Sequence, residues 1–542
     1  MRFRLPCAAL SLVAVATAQE AAPAPAPATA PAAGRLRAIR ITTGDVFSPE
    51  KAEAEPLAGL VNALHWTTRE EVVAREIWIA PGDPIDARTA AEIERNLRAL
   101  GLFAEVVVRL AATETPGLVD LVVTTRDRLT LSVGAGASYV GGVGGVNAAL
   151  GESNLFGLGD RIAASFRRNT DDEYRGGIAY TDLHVLDSWH AGTVRLGRTD
   201  DGDYYGVDLN RSLRHLADPR GYSASFDRAE TARDYHRNGD VVAEVPDRRT
   251  DLGARIDWAA GPVHERRTVG FVLDFEQHDY GLARGPAAPA LRVPGDTWST
   301  FVGIDVGWRH VTAFREVEGL DTLVFVQDLE LGIDLGATLG ARWRDEAGAS
   351  GALQPELALR ARWSAEPLQD LFTRVDLRGR ARQDDGDTVG WSTSANARAF
   401  AMLHDLHTLC GRIAFDAAEE TQDLPAELTL GEELGLRGYA TDQFAGTRRL
   451  RANLEHRFDT GLEVATLRLG LVAFFDAGWV GDGSDLGRPF SAAGVGLRIG
   501  SQALLGSGVV RIDLAKPLDD VVGDDDGWKL SVTLGQVFGF GG

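Results

Sequence analysis

The chain has 542 residues, of which 44% are hydrophobic and 25% charged, with 62 glycines and only 2 methionines. Its formal net charge of -22 argues against a nucleic-acid partner, whose phosphates require clustered Lys and Arg. Beyond the first residues no run of about 18 apolar residues occurs, so a transmembrane helix is excluded and a β-barrel is the only route across a bilayer.

The N-terminus, MRFRLPCAALSLVAVATAQE, has two arginines, an apolar run from Leu5 to Val15, and the small-residue ending Ala16-Thr17-Ala18. This is the pattern of a secretory signal peptide, residues 1–18, cut after Ala18. Cys7 would leave with it, so Cys410 could form no internal disulfide and is assigned no function. Residues 19–34, QEAAPAPAPATAPAAG, read as an extended Pro/Ala linker with nothing to build a core.

Residues 35–128 read as a small α+β domain. Ala38 to Thr42 is a strand pattern, and Thr68-Arg-Glu-Glu71 predicts a capping box opening a helix that carries Val72, Val73 and Ile77. A second box, Thr89-Ala-Ala-Glu92, predicts a helix with Ala90, Ile93, Leu97 and Leu100 on one stripe and Gly101 at its end. Phe103 to Leu110 and Leu118 to Thr125 supply two further strands. The order strand, helix, helix, strand, strand is that of a POTRA module. The segment ALHWTTREEVVAREIWIAPGDPIDARTAAEIERNLRALGLFAEVVV resembles the POTRA domain of the outer-membrane insertase and translocator superfamily. That superfamily comprises the BamA/TamA and two-partner-secretion group, also called the bacterial surface antigen family. A single such domain is present here.

From residue 129 to 542 the period is two. Leu131, Val133, Ala135, Ala137 and Tyr139 alternate with Ser and Gly, Leu252, Ala254, Ile256 and Trp258 with Asp, Gly and Arg, and Val375, Leu377 and Ala381 with Arg and Asp. A membrane barrel needs such alternation, because one face meets lipid and the other a wet lumen. A soluble β-sandwich would also alternate, but it rarely runs to about 400 residues as one domain. Close to twenty candidate segments can be marked, whereas the family closes with sixteen. Sixteen antiparallel strands are expected, with eighteen or twenty as alternatives, because some segments could be halves of one strand.

Several barrel segments extend the resemblance. GESNLFGLGD, Gly151 to Asp160, is similar to the family's early hairpin, and VVRIDLAKPL, Val509 to Leu518, to its penultimate strand. LRGY, at Leu436, Arg437, Gly438 and Tyr439, matches the Arg-Gly-aromatic signature of the long loop that folds back into the lumen. RLRANLEHRF, Arg449 to Phe458, and FFDAG, Phe474 to Gly478, match the strands that receive it. Alternation independently turns Arg451, Asn453, Glu455 and Arg457 inward on one strand and Arg468, Phe474 and Asp476 inward on the next. An inward loop would then let Arg437 make a planar, bidentate pair with Asp476, or with Glu455 as the second candidate. Gly438 would permit close backbone approach, and Tyr439 would anchor the loop. A solvated arginine on an external loop is the plain alternative.

The closing strand is expected at Trp528 to Phe540, with Trp528, Leu530, Val532, Leu534, Phe538 and Phe540 on one face, followed by Gly541-Gly542. No G-x-S-x-G, H-E-x-x-H, Walker or C-x-x-C pattern occurs, so neither enzyme activity nor a metal or cofactor is expected. The glycine-rich YVGGVGGVNAALG lies in a period-two region and reads as a hairpin. The resemblance implies insertion or translocation of unfolded outer-membrane or secreted client proteins, with the POTRA domain in the periplasm, the barrel in the lipid of a bacterial outer membrane, and accessory envelope proteins as further partners. A passive diffusion porin and a membrane-anchored periplasmic scaffold are the rival readings.

Overall fold

The computed structural model describes residues 33–540 apart from 141–142, 171–172, 212–217, 263, 324–325, 348–350, 405, 465–466, 501–508, 522–526 and 535. The expected signal peptide and nearly all of the expected linker lie outside the described residues. The expected linker end at residue 34 is superseded, because Ala33 and Gly34 already pair with Asp86 and Ile85.

The first domain runs β1 (Ala33–Gly44), α1 (Pro49–Ala54), α2 (Pro56–Ala63), α3 (Glu70–Arg75), β2 (Pro84–Asp86), α4 (Ala87–Ala99), β3 (Phe103–Ala112) and β4 (Leu118–Asp127). Its sheet has the order β2-β1-β4-β3, with β1 parallel to β4 and β3 at an edge. The apolar stripe of α4 and the inward residues of the sheet close one core, in which Leu36, Val72, Val73, Ile93, Leu97 and Leu121 are buried. Gly101 ends α4 with a φ of +69°, a conformation that favours glycine.

Both predicted capping boxes are shifted. Helix α3 starts at Glu70 with Arg69 as a cap that makes no side-chain bond. Thr68 is held elsewhere, donating its N–H and hydroxyl to the buried Asp127 carboxylate at 2.6 and 2.8 Å. For α4, Asp86 takes the cap and accepts from the Thr89 N–H at 2.8 Å, which places Thr89 in the first turn. That bond holds the Asp86 carboxyl below its ordinary pKa.

Twenty strands among the described residues, from Leu131–Val140 to Lys529–Leu534, close into one barrel, not the expected sixteen. The alternating segments are separate strands, not halves, and some are long: Asp240–Ala260 has 21 residues and Thr297–Glu318 has 22. The wall is inside out relative to a soluble protein. On Thr297–Glu318, Val302, Ile304 and Val306 are exposed while Asp305 between them is fully buried. Inside, Asp305 accepts from Arg255 at 2.7 Å and Arg360 at 2.6 Å, so lumenal charge is neutralised in pairs.

The antiparallel order puts the turns at residues 156–159, 183–190 and 319–323 at one end, with the first domain. The connection between His407–Glu420 and Arg448–Val464 therefore leaves from the opposite end. The predicted closing strand is also corrected. The last strand stops at Leu534, and Phe538 and Phe540 do not face lipid but lie buried inside the barrel.

Candidate functional site

The long connection enters the lumen as a small hairpin of its own. Leu428–Leu430 pairs with Phe444–Gly446 outside the wall's ladder, and the intervening residues bend inward through a 3-10 turn at Glu432–Leu434. Gly435 and Gly438, with φ of +96° and +87°, make the reversal possible, since a side chain in that region is strained. Leu436 and Tyr439 are fully buried against Leu430 and Ala492, and the Tyr439 hydroxyl donates to the Ser491 carbonyl at 2.7 Å. Gly478 faces the loop, where a Cβ would collide with Leu430.

Arg437 lies inside the barrel against the strands that carry Glu455, Asp476 and Asp513, 1% exposed. Its Nε and Nη2 donate to the two oxygens of Asp476 at 2.7 and 2.9 Å. Its Nη1 lies 2.9 Å from Glu455 Oε1 and 3.3 Å from Asp513 Oδ2. The guanidinium also stacks 3.4 Å from the centroid of the Phe474 ring. Asn453 closes the shell, donating to Asp476 at 2.7 Å and to the Gly435 carbonyl at 2.6 Å. Asp513, on Val509–Pro517, belongs to the site but was not among the candidates; it also accepts from Arg498 at 2.6 Å. Period-two alternation turns Arg511 and Asp513 to the same face within the quoted VVRIDLAKPL, and that was the signal available. With Arg457 on Glu455 and Arg511 on Asp513, three carboxylates and four arginines are buried together in one network, and an unpaired ion in this setting is costly.

A second set of buried polar contacts joins the first domain to the barrel mouth. Asn154, in the early hairpin, donates to the Trp66 carbonyl at 2.8 Å and to Thr68 Oγ1 at 2.9 Å, and its own Oδ1 accepts from the Gly159 N–H at 2.9 Å. At Gly157, with φ of +75°, a Cβ would meet the Thr67 carbonyl, and that carbonyl's neighbour Arg69 donates its N–H to Gly157 O at 3.0 Å. On the other side of the mouth, Arg98 at the end of α4 pairs with Asp328 at 2.8 Å and Glu316 at 2.6 Å. Burial works against the Arg98 charge, but Asp328, Glu316 and Glu94 together outweigh it and the pKa is raised. Among the described residues no group of three or more His, Cys, Asp or Glu side chains is placed to hold a metal.

No protein-family model matches the chain, and no curated protein matches it. Solved structures of similar outline include BamA from Haemophilus ducreyi lacking POTRA domains 1-3, at 13% identity and a TM-score of 0.39 over 93% of this chain and 84% of that one. CdiB from Escherichia coli is similar at 12% identity and a TM-score of 0.47 over 93% of this chain and 76% of its own. FauA, an alcaligin outer-membrane receptor from Bordetella pertussis, is similar at 10% identity and a TM-score of 0.35, over 80% of this chain and 81% of its own.

Proposed function

We propose that this protein lies in a bacterial outer membrane and assembles or translocates unfolded outer-membrane or secreted proteins, with its first domain, a POTRA module, in the periplasm. The observation that carries the reading is a free sheet edge beside an occluded barrel. Strand β3 pairs with β4 alone among the described residues and has no strand on its other side, where Glu94 of α4 accepts from the Val108 N–H at 3.0 Å and Val107 is exposed. An extended client can add to such an edge through main-chain hydrogen bonds, which tolerate many sequences. The apolar outer face fits lipid. A lumen crossed by the Arg437 loop fits a barrel that opens for a client better than a diffusion porin, and the residues named here supply binding and support without nucleotide or cofactor.

The test places a photoreactive amino acid at Val107 and at the buried Leu121 and identifies the chains trapped in cells. Adducts with unassembled outer-membrane or secreted proteins from position 107 alone are expected. No adducts at 107, together with a steady open conductance of the purified barrel, would favour a porin. No adducts with a closed barrel would favour a scaffold.

A further inference from the structure

The segment after the last strand lies in a site that holds it as a peptide, main chain and side chains alike. The carbonyls of Phe538, Gly539 and Phe540 accept in turn from Arg457 at 2.9 Å, Arg398 at 2.6 Å and Arg374 at 3.0 Å, three arginines from three different strands of the wall. The Phe540 N–H donates to Asp321 Oδ1 at 2.5 Å. The rings have their own places: Phe540 packs on Phe372 and Phe400, with centroids 6.5 and 5.9 Å away, and Phe538 on Phe400 at 6.0 Å and under the Arg457 and Arg412 guanidinium groups. Between them a Cβ at Gly539 would lie 2.7 Å from Asp321 Oδ1, so any larger residue there requires the Asp321 carboxylate to move. With the segment in place Arg398 and Arg457 are more than nine-tenths buried, and each also pairs with a wall carboxylate, Asp376 and Glu455, which orients it independently of the segment.

We propose that this lumenal pocket is a binding site for peptides of the pattern aromatic-Gly-aromatic, filled in cis by Phe538-Gly539-Phe540, and that the segment leaves it reversibly. The recognition has two separable parts. Arginine forks read consecutive carbonyls regardless of side chain, while two ring pockets and the Asp321 wall select the pattern. The inference is independent of the transport reading, since it concerns what the lumen binds and not what crosses it.

Cys410 supplies the reporter. It is fully buried in the same cluster as Phe538 and Phe540, so a water-soluble thiol reagent reaches it only when the segment is out. In full-length barrels carrying Cys7→Ser, Cys410 is the single thiol. Labelling by a methanethiosulfonate reagent is compared among the full chain, a chain lacking residues 536–542, and a full-length Phe538→Ser/Phe540→Ser chain, each shown to be a heat-modifiable barrel. Both altered chains should label about tenfold faster or more. The synthetic peptide Gln-Val-Phe-Gly-Phe should then restore slow labelling of the truncated chain saturably, whereas Gln-Val-Ser-Gly-Ser should not. Equal labelling of all three chains, or no protection by the peptide at millimolar concentration, overturns the proposal. Failure of both altered chains to form a barrel also overturns it, because the segment would then be part of the wall's folding and not an exchangeable ligand.

Discussion

Two segments enter the barrel from opposite ends, and they are held by different chemistry. The Arg437 loop comes from the end away from the first domain and is fixed by one buried cation among Glu455, Asp476 and Asp513. The final segment comes from the first domain's end, with its carbonyls taken by wall arginines and two rings in an apolar cluster. The first arrangement is strongly coupled, since removing the cation takes the one ion pair that Asp476 has among the described residues, while Glu455 and Asp513 keep Arg457 and Arg498. The second is a sum of modest contacts, which can open piecemeal. They meet in the middle: Glu455 accepts from Arg457 at 2.9 Å, and Arg457 holds Phe538, while a Cβ at Gly435 would touch Val537 at 3.5 Å. Strand Arg448–Val464 thus serves both segments, with Glu455 for the loop and Arg457 for the final segment two positions apart on the same face.

The largest effect should come from Arg437→Ala. Leaving buried carboxylates without their partner should cost about 3–5 kcal/mol, read as a lower midpoint of the heat-modifiability transition. Because Arg437 serves three carboxylates, Asp476→Ala should cost less, and adding it to Arg437→Ala should be far from additive. Strict additivity would mean that the arginine and Asp476 act separately. Phe540→Ala comes next. Truncating a ring in a packed cluster costs about 3 kcal/mol, but here the loss should be confined to the final segment, so Cys410 labelling should accelerate while the global midpoint moves little. An equal fall in the midpoint would erase the distinction between the two segments.

Smaller effects should map the loop itself. Gly438→Ala places a side chain at a φ of +87° with Ala515 and Pro517 each 3.3 Å from its Cβ, and about 1–2 kcal/mol of destabilisation should follow in the same assay. Tyr439→Phe keeps the ring and removes only the hydrogen bond to Ser491, so about 1 kcal/mol is expected, with the loop still inside. A Tyr439→Phe barrel as damaged as Arg437→Ala would show that the anchor, not the charge, holds the loop.

The contrast also shows what each signal in the sequence is worth. Alternation along Arg449 to Phe458 turns Glu455 and Arg457 inward without any tertiary information, because side chains on a strand have a period of two and only one face can meet lipid. The same rule placed Asp476 and Phe474 on the inner face. It failed at Phe538 and Phe540, which continue the alternation of Leu530 and Val532 but are not part of the strand. Whether a chain goes on pairing depends on whether a partner edge is there to pair with, and that is a property of the closed barrel. The capping box at Thr68 failed for a related reason, since Asp127, some sixty positions away, holds Thr68 at 2.6 Å, whereas at α4 the nearby Asp86 took the cap from Thr89.

By itself, the sequence determined the inside-out wall, the division into a small α+β unit and a long period-two region, and which residues face the lumen on the two strands that carry Glu455 and Asp476. These follow from local periodicity and from the cost of unpaired backbone in lipid. The tertiary structure alone decided that twenty strands and not sixteen close the barrel, that Asp513 shares Arg437 with Asp476 and Glu455, and that the final aromatic residues turn inward to three arginines. Strand number and side-chain partners depend on contacts between segments far apart in the chain, and no local pattern encodes which inward carboxylate will stand nearest an inward arginine.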